Sequence, residues 1–149
     1  MPRDIQYLTV QDHLWINLQV TGHQQQFKFA DLEEAVYLQY AYQTSNNVIA
    51  QAARYGAKFA SKSPFARGNE ATAFVGLVSF LRLNGFNVEL SDAKGADFMA
   101  SLATGGEDAV RKAVRHDHHA HDESVEDVAK AVIEAYPKTI SKLNKQAVA

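Results

Sequence analysis

A glycine-containing loop leads directly into the most apolar segment of the chain. Residues 63–73 read SPFARGNEATA, and residues 74–83 read FVGLVSFLRL. A helix that starts after such a loop leaves its first backbone N–H groups without partners, and its dipole places positive charge there. Both effects favour a bound phosphate. The segment therefore predicts an anion or nucleotide site formed by four loop residues: Arg67, Gly68, Asn69 and Thr72.

The other side chains of the loop are poorly matched to phosphate-transfer chemistry. A general base for a hydroxyl group is usually a His, because its pKa lies near neutrality, and Ser63 alone cannot take that role. Arg67 cannot hold Mg²⁺, since hard cations take oxygen ligands. Glu70 repels a phosphate that seeks the same N–H groups. An alternative interpretation is purely structural: Gly68 permits the turn, and Asn69 caps the buried helix.

Residues 63–73 resemble the motif of the Fic/Doc family (filamentation and death-on-curing proteins), which has the form H-P-F-x-[D/E]-G-N-[K/G]-R-T-A. The matching positions include the Gly-Asn turn: Pro64, Phe65, Gly68, Asn69, Thr72 and Ala73. Four positions depart from the motif: Ser63 replaces its His, Arg67 its acid, Glu70 its Lys and Ala71 its Arg. Residues 80–86, FLRLNGF, are similar to the toxin branch of the family, and the resemblance extends over about residues 6–114.

The resemblance implies a mainly α-helical bundle around a buried central helix, with one small β-hairpin or flap. Members of the family transfer AMP from ATP, or phosphate in the Doc branch, to a protein hydroxyl, using the motif His as base and the acid for Mg²⁺. In the toxin branch a groove accepts a helix from an antitoxin. The resemblance thus implies ATP or another nucleotide as the cofactor and a protein as the partner.

Because the catalytic positions Ser63, Arg67, Glu70 and Ala71 are degenerate, we expect a Doc-like protein of a toxin–antitoxin lineage without an intact centre for nucleotide or phosphate transfer. Such a protein acts by binding a partner, such as an antitoxin-like helix. The alternative is an active AMP- or phosphotransferase with relocated catalytic residues.

A second cluster of chemistry-bearing residues lies at 116–123, HDHHAHDE. Neutral imidazole is the commonest protein ligand for Zn²⁺ or Ni²⁺, and a helix would bring residues three and four apart together. The four candidate ligands are His116, His118, His119 and His121. A His-rich metal-binding protein is therefore a further alternative, beside a polar linker that binds metal only weakly. We expect His13 and His23, outside this cluster, to lie on the surface.

The elements that position these residues are mostly helical. Capping signals and apolar spacing predict helices at about 10–20, 31–43, 47–59, 69–84, 91–105, 107–115 and 124–136, with a short strand near 86–90. Residues 24–29 are predicted to form a loop, an edge strand or a flap. We expect one Fic/Doc-like unit over residues 1–114, with residues 115–149 packed on the same domain.

Composition narrows the classes of partner. The 149 residues include 15 Lys and Arg against 17 Asp and Glu, so the chain has no strong basic field to attract nucleic acid. The longest apolar run, residues 73–81, is too short to span a bilayer, and the first residues lack the apolar core of a signal peptide. A cytoplasmic protein without membrane or nucleic-acid partners is expected. Cys is absent, which excludes disulfides and thiolate ligands.

Overall fold

The computed structural model describes residues 5–40, 47–117 and 123–146 and is mainly α-helical, as the sequence predicts. Seven α-helices occur in these ranges: α1 Val10–Thr21, α2 Phe29–Tyr37, α3 Val48–Lys58, α4 Asn69–Leu83, α5 Gly95–Ala113, α6 Val125–Ala135 and α7 Pro137–Gln146. A single 3₁₀ turn, Ala60–Lys62, follows α3, and two short strands are present, β1 Phe86–Val88 and β2 Val114–His116. In the described ranges, no helix combines the length and the apolar character needed to cross a bilayer.

Helix α4 is the centre of the fold. Twelve of its fifteen residues are buried, so it presents an apolar surface in every direction, as expected of a helix surrounded by others. Helices α1, α3, α6 and α7 and strand β1 all contact it. The predicted central helix at 69–84 is therefore confirmed, and Asn84 follows it as the C-cap.

Several predicted helix ends are confirmed at the level of single hydrogen bonds. The Thr9 hydroxyl accepts from the Asp12 N–H and the Asp12 carboxylate accepts from the Thr9 N–H, which is a complete capping box for α1. The Asn47 side chain caps α3, and the Ser124 hydroxyl caps α6 through the Asp127 N–H. Each cap satisfies an N–H group that the first helical turn leaves without a partner.

Two predicted helices have wrong boundaries. Helix α2 begins at Phe29 and ends at Tyr37, whereas the sequence predicted 31–43; residues 41–43 lie outside the described ranges. The predicted helix at 91–105 begins only at Gly95, as the start of α5, whereas the predicted break after it is confirmed: Gly106 has non-helical angles, with φ 48° and ψ −126°, and a kink there divides α5 into two helical parts. A residue with positive φ interrupts the helical bonds without ending the helix, and glycine adopts that conformation at little cost.

The two strands pair antiparallel, with Phe86 opposite His116 and Val88 opposite Val114. Helix α5 lies between them in the chain, so they form a small two-stranded sheet without the tight turn of the expected hairpin. Strand β2 spans the predicted division between residues 114 and 115. Beyond it, α6 and α7 lie directly against α4.

His13 is fully buried, and the prediction that it lies on the surface is wrong. Its Nδ1 lies 2.7 Å from the carbonyl oxygen of Thr9, and its Nε2 lies 2.6 Å from the hydroxyl oxygen of Tyr55. The ring also stacks on Phe59, with 5.2 Å between ring centroids. Because a carbonyl can only accept, Nδ1 carries the proton and Nε2 accepts from Tyr55. Burial lowers the pKa of His13 from 6.5 to about 4, since a charged ring would lose its hydration.

We predict that replacing Leu77 by Ala lowers the free energy of unfolding by about 2–5 kcal/mol, the cost of truncating a fully buried leucine. Urea unfolding followed by circular dichroism measures this change. The matched control is Leu18→Ala, because Leu18 is 40% exposed on α1 and its truncation removes less buried surface. Equal costs at the two positions would contradict the central placement of α4.

We also predict an acid-dependent loss of stability that originates at His13. The unfolded chain takes up a proton near pH 6.5, whereas the folded chain resists protonation until about pH 4. Stability from this group is therefore full above pH 6.5 and falls as the pH drops toward 4, by about 3 kcal/mol in total. Unfolding curves of the wild type and of His13→Gln, at about pH 7.5 and 4.5, measure the difference in slope. His23→Gln, at an exposed His, should keep the wild-type dependence; the same dependence in His13→Gln would contradict the assignment.

Candidate functional site

The loop before α4 is held by side chains that bond its backbone. The Asn69 side chain accepts from the Phe65 N–H at 2.9 Å and donates to the Phe65 carbonyl at 2.8 Å. Asn69 is thus the first residue of α4 and a clamp on the loop, while the N-cap expected at Asn69 is Gly68. Gly68 has a φ of 81°, and a Cβ there would overlap the Thr21 side chain, so glycine is needed both for conformation and for space.

Helix α1 holds the same loop through the side chain of Asn17. The Nδ2 group of buried Asn17 donates to the Arg67 carbonyl at 2.9 Å and to the Thr72 hydroxyl at 3.1 Å. Thr72 is itself fully buried, so its hydroxyl holds Asn17 and lines neither of the two cavities described below. The predicted role of Thr72 in anion binding is not supported by this position.

A short extended segment pairs with the loop on its other side. Phe27 and Phe65 form an antiparallel bridge, in which the Lys28 N–H donates to the Pro64 carbonyl and the Ala66 N–H donates to the Gln26 carbonyl, each at 2.9 Å. Residues 24–29, predicted as a loop, edge strand or flap, therefore lie beside the motif loop. The backbone of residues 64–66 is fixed by this pairing on one side and by Asn69 on the other.

The four positions that depart from the family motif lie in different surroundings. Ser63 is exposed, with a φ of 46°, and its hydroxyl donates to the Ala60 carbonyl at 3.4 Å. Arg67 is exposed, and Glu70 is half-buried in the first turn of α4. Ala71 is fully buried in the core. A long cationic side chain at position 71 would therefore have to displace packed apolar groups.

Two adjoining cavities lie at this loop. One, of about 710 Å³, runs between the end of α1 and α7, and the other, of about 380 Å³, lies at the start of α4 beside residues 66–69. Arg67 and Asn144 line both, which makes the two cavities neighbours. His23 and Gln25 line the smaller one. No Asp or Glu of the described residues lines either cavity.

This arrangement does not fit the Mg²⁺–nucleotide that the family resemblance implies. Mg²⁺ requires oxygen ligands and is usually held by at least one carboxylate, yet the lining of both cavities provides Arg67 and no acidic group. Arg67, Gly68 and Asn69 do lie together at the smaller cavity, as the predicted anion site requires. Glu70 does not line it.

Sequence reasoning missed the contribution of α7 to this region. The Nδ2 group of Asn144 donates to the Val20 carbonyl at 2.9 Å, and its buried Oδ1 has no hydrogen-bond partner within the described ranges. The contact joins residues 124 positions apart, so no local pattern predicts it. Only the position of Asn144 one turn after Ile140, on an otherwise lysine-rich helix, hints that it faces the core.

Helix α7 is fixed at its other end by Asp92. The Asp92 carboxylate accepts from the N–H groups of Lys138 and Thr139 at 3.0 and 2.8 Å, and the Thr139 hydroxyl donates back to the Asp92 carbonyl. Partial burial opposes the charge, but these hydrogen bonds outweigh it and keep the pKa of Asp92 below its usual range. Asp92, predicted to start a helix of its own, is thus the cap of a helix more than forty residues away.

Only one histidine of the His-rich segment lies in the described ranges. His116 belongs to β2, where its ring lies 4.6 Å from that of Phe86 between centroids. His118, His119 and His121 lie outside the described ranges. Within those ranges, no group of three or more His, Cys, Asp or Glu side chains is placed to hold a metal ion.

Comparison of the chain with protein-family models, with curated proteins and with solved structures gives no match.

We predict that any binding of inorganic phosphate at the start of α4 depends on Arg67, since Arg67 lines the cavity there and carries the positive charge. Arg67→Ala should weaken phosphate by about tenfold, the cost of one charge-assisted hydrogen bond. Glu70→Lys should strengthen phosphate binding by a smaller factor, because Glu70 does not line the cavity and affects a bound phosphate only by electrostatic repulsion at a distance. Titration calorimetry measures both changes, with Lys130→Ala on the exposed side of α6 as the control. Unaltered affinity in both variants would place the anion site elsewhere.

Proposed function

We propose that this protein is a catalytically inactive scaffold of Fic/Doc type that acts by binding a helix of a partner protein in the groove between α1 and α7. The observation that carries this proposal is the groove itself, the cavity of about 710 Å³ that meets the motif loop at Arg67. A partner helix of antitoxin kind is what the sequence resemblance implies, and the dimensions and charges of the groove support it.

The groove has an apolar floor and cationic edges. Val20, Ile133 and Ile140 provide apolar surface, and Arg67 and Lys145 provide two positive charges. The part of α7 that lines it, from Pro137 to Lys145, is about 12 Å long, enough to lie along two turns of another helix. Helices that bind in grooves insert apolar side chains spaced three and four residues apart. A fitting partner therefore has such an apolar stripe and an acidic side chain that can reach Arg67 or Lys145.

The residues of the loop favour binding over transfer. Ser63 has its hydroxyl turned to the Ala60 carbonyl and has no base of its own, and Arg67 occupies the position that the motif gives to a metal-binding acid. By contrast, the backbone of the loop is held by hydrogen bonds from the Asn17 side chain to the Arg67 carbonyl and between the Asn69 side chain and the Phe65 backbone. A rigid loop without its reactive groups can still present a shaped surface to a partner.

The second candidate function is a transferase with a relocated base. One observation favours it: His23 lines the smaller cavity together with Arg67, Gly68 and Asn69. A neutral imidazole at that place has the chemistry of a general base for a hydroxyl group. The route would still lack an acidic residue for Mg²⁺ in the lining of the cavity.

We predict that the purified protein transfers no label from radioactive ATP to itself or to proteins of a cell lysate. The assay is run with wild type, with His23→Ala and with Arg67→Ala. A labelled band that disappears in His23→Ala would establish the relocated base and overturn the proposal of an inactive centre. A band that persists in both variants would indicate a contaminating enzyme.

Binding in the groove is tested by photocrosslinking in the cells of origin. A benzophenone amino acid at Ser141, which is exposed and lines the groove, should capture a discrete partner, whereas the same group at exposed Ala103 on α5 should not. Arg67→Glu should abolish the captured species, because reversing this exposed charge opposes an acidic helix. Ile140→Glu should do the same, and circular dichroism verifies that this change at a buried position leaves the fold intact. Equal capture from Ser141 and Ala103, or capture unaffected by Arg67→Glu, would contradict binding in the groove.

A further inference from the structure

Exposed aromatic side chains are concentrated on one short part of the chain. Among the described residues, five large apolar side chains are exposed, and four of them lie between residues 27 and 40: Phe27 at 39%, Phe29 at 59%, Tyr37 at 46% and Tyr40 at 37%. Single exposed apolar side chains are ordinary, but a cluster marks an interaction surface. Tyr and Phe in such a cluster bury large areas on binding at a low cost in side-chain entropy.

Two of these rings, those of Phe29 and Tyr37, lie on one side of α2 with Glu33 between them. Phe29, Glu33 and Tyr37 are four residues apart, so they follow one side of the helix, while Leu32, Ala35 and Val36 are buried on the other. We call the row Phe29, Glu33, Tyr37 and Tyr40 the α2 aromatic face. Beyond α2, the Tyr40 ring lies 5.6 Å from that of Tyr37 and stacks on Tyr7 at 4.2 Å between centroids. The contacts with its neighbours hold the Tyr40 ring in place.

The α2 aromatic face is acidic. Its own carboxylate is Glu33, and Glu34 lies beside it, one turn before Tyr37, whereas Asp31 lies on another side of the helix. The nine residues of α2 contain no Lys or Arg, and the exposed Lys28 precedes them as the N-cap. Glu34 forms a long, exposed ion pair with Lys62 at 3.8 Å, whereas Asp31 and Glu33 take part in no ion pair within the described ranges. A carboxylate between aromatic rings suits a guanidinium or ammonium group, which can bond the carboxylate and lie over a ring.

We propose that the α2 aromatic face binds an apolar segment of a partner protein that carries Arg or Lys side chains about one helical turn apart. The carboxylates repel nucleic acid and anionic lipid, and the exposed rings need apolar groups opposite them, which a polypeptide with both characters provides. None of the four residues of the face lines either cavity at the motif loop. The surface is therefore separate from the groove, and its partner differs in charge from the acidic helix that the groove fits.

The test uses the full chain and a pair of designed helical peptides, identical in their leucines and differing in two Arg or two Glu spaced four residues apart. Fluorescence anisotropy should show the Arg peptide binding about tenfold or more tightly than the Glu peptide, and more weakly as salt rises. Glu33→Lys should lower the affinity for the Arg peptide about tenfold, and Tyr37→Ser should lower this affinity without changing its salt dependence. Glu134→Lys, which changes an exposed glutamate on α6, should leave it unchanged.

Equal binding of the two peptides, or equal effects of Glu33→Lys and Glu134→Lys, would overturn the proposal. Amide chemical shifts locate the bound peptide independently of the variants: shifts confined to α2 support the assignment, and shifts confined to residues of the groove contradict it. Circular dichroism of each variant verifies that the fold is intact. The groove proposal is unaffected by either result, because Ser141 and Ile140 lie outside this face.

Discussion

The hydrogen bond between His13 and Tyr55 determines how three helices meet. It joins α1 to α3, and a Cβ at Gly76 of α4 would overlap the Tyr55 hydroxyl, so the bond also fixes which face of α4 can lie there. Both partners are fully buried, so removing either one leaves the other without a hydrogen bond in the core. Helix α4 has apolar surface on all sides, so rotating it about its axis would bury a similar apolar area. The junction selects one of these rotations and so makes the packing specific.

The junction also sets the position of the motif loop. Asn17 lies one helical turn after His13 on α1, so the rotation of α1 that places His13 against Tyr55 turns Asn17 toward Arg67 and Thr72. The loop is thus attached to the core through the same face of α1 that carries the buried histidine. Its geometry follows from core packing rather than from a bound ligand.

The residues of the loop fall into two physically different groups. Those that match the family motif hold the backbone: Asn69 bonds Phe65, Gly68 provides the positive φ, and Thr72 accepts from Asn17. Those that depart from it are positions that the motif uses for chemistry. Ser63 and Arg67 are exposed, whereas Ala71 is fully buried. A long cation at position 71 would therefore have to displace packed groups.

Much of the fold could be predicted because its signals are local. The capping box at Thr9, the caps at Asn47 and Ser124 and the all-round apolar pattern of α4 each depend on residues within a few positions of one another. The failures share the opposite property. His13 becomes a core residue because Tyr55, 42 positions away, bonds it, and Asp92 starts no helix of its own but caps α7 through the Thr139 N–H, 47 positions away. A local sequence pattern cannot identify partners that are so distant in the chain.

The candidate site divides in the same way, and this has a consequence for the groove. Its loop side was found from a local motif, whereas its α7 side depends on Asp92 at one end and on the bond from Asn144 to Val20 at the other. Helix α7 is short, and its described side chains include four exposed polar residues. Only two large apolar side chains of α7, Ile140 and Leu143, are buried, so apolar packing alone stabilises its position weakly. The loop is therefore held by Asn17 and Asn69, whereas α7 is held by Asp92 and by its bond to Val20 on the α1 wall of the groove. A change at Asp92 alters the wall formed by α7 and the width of the groove, while the loop, held by Asn17 and Asn69, keeps its conformation.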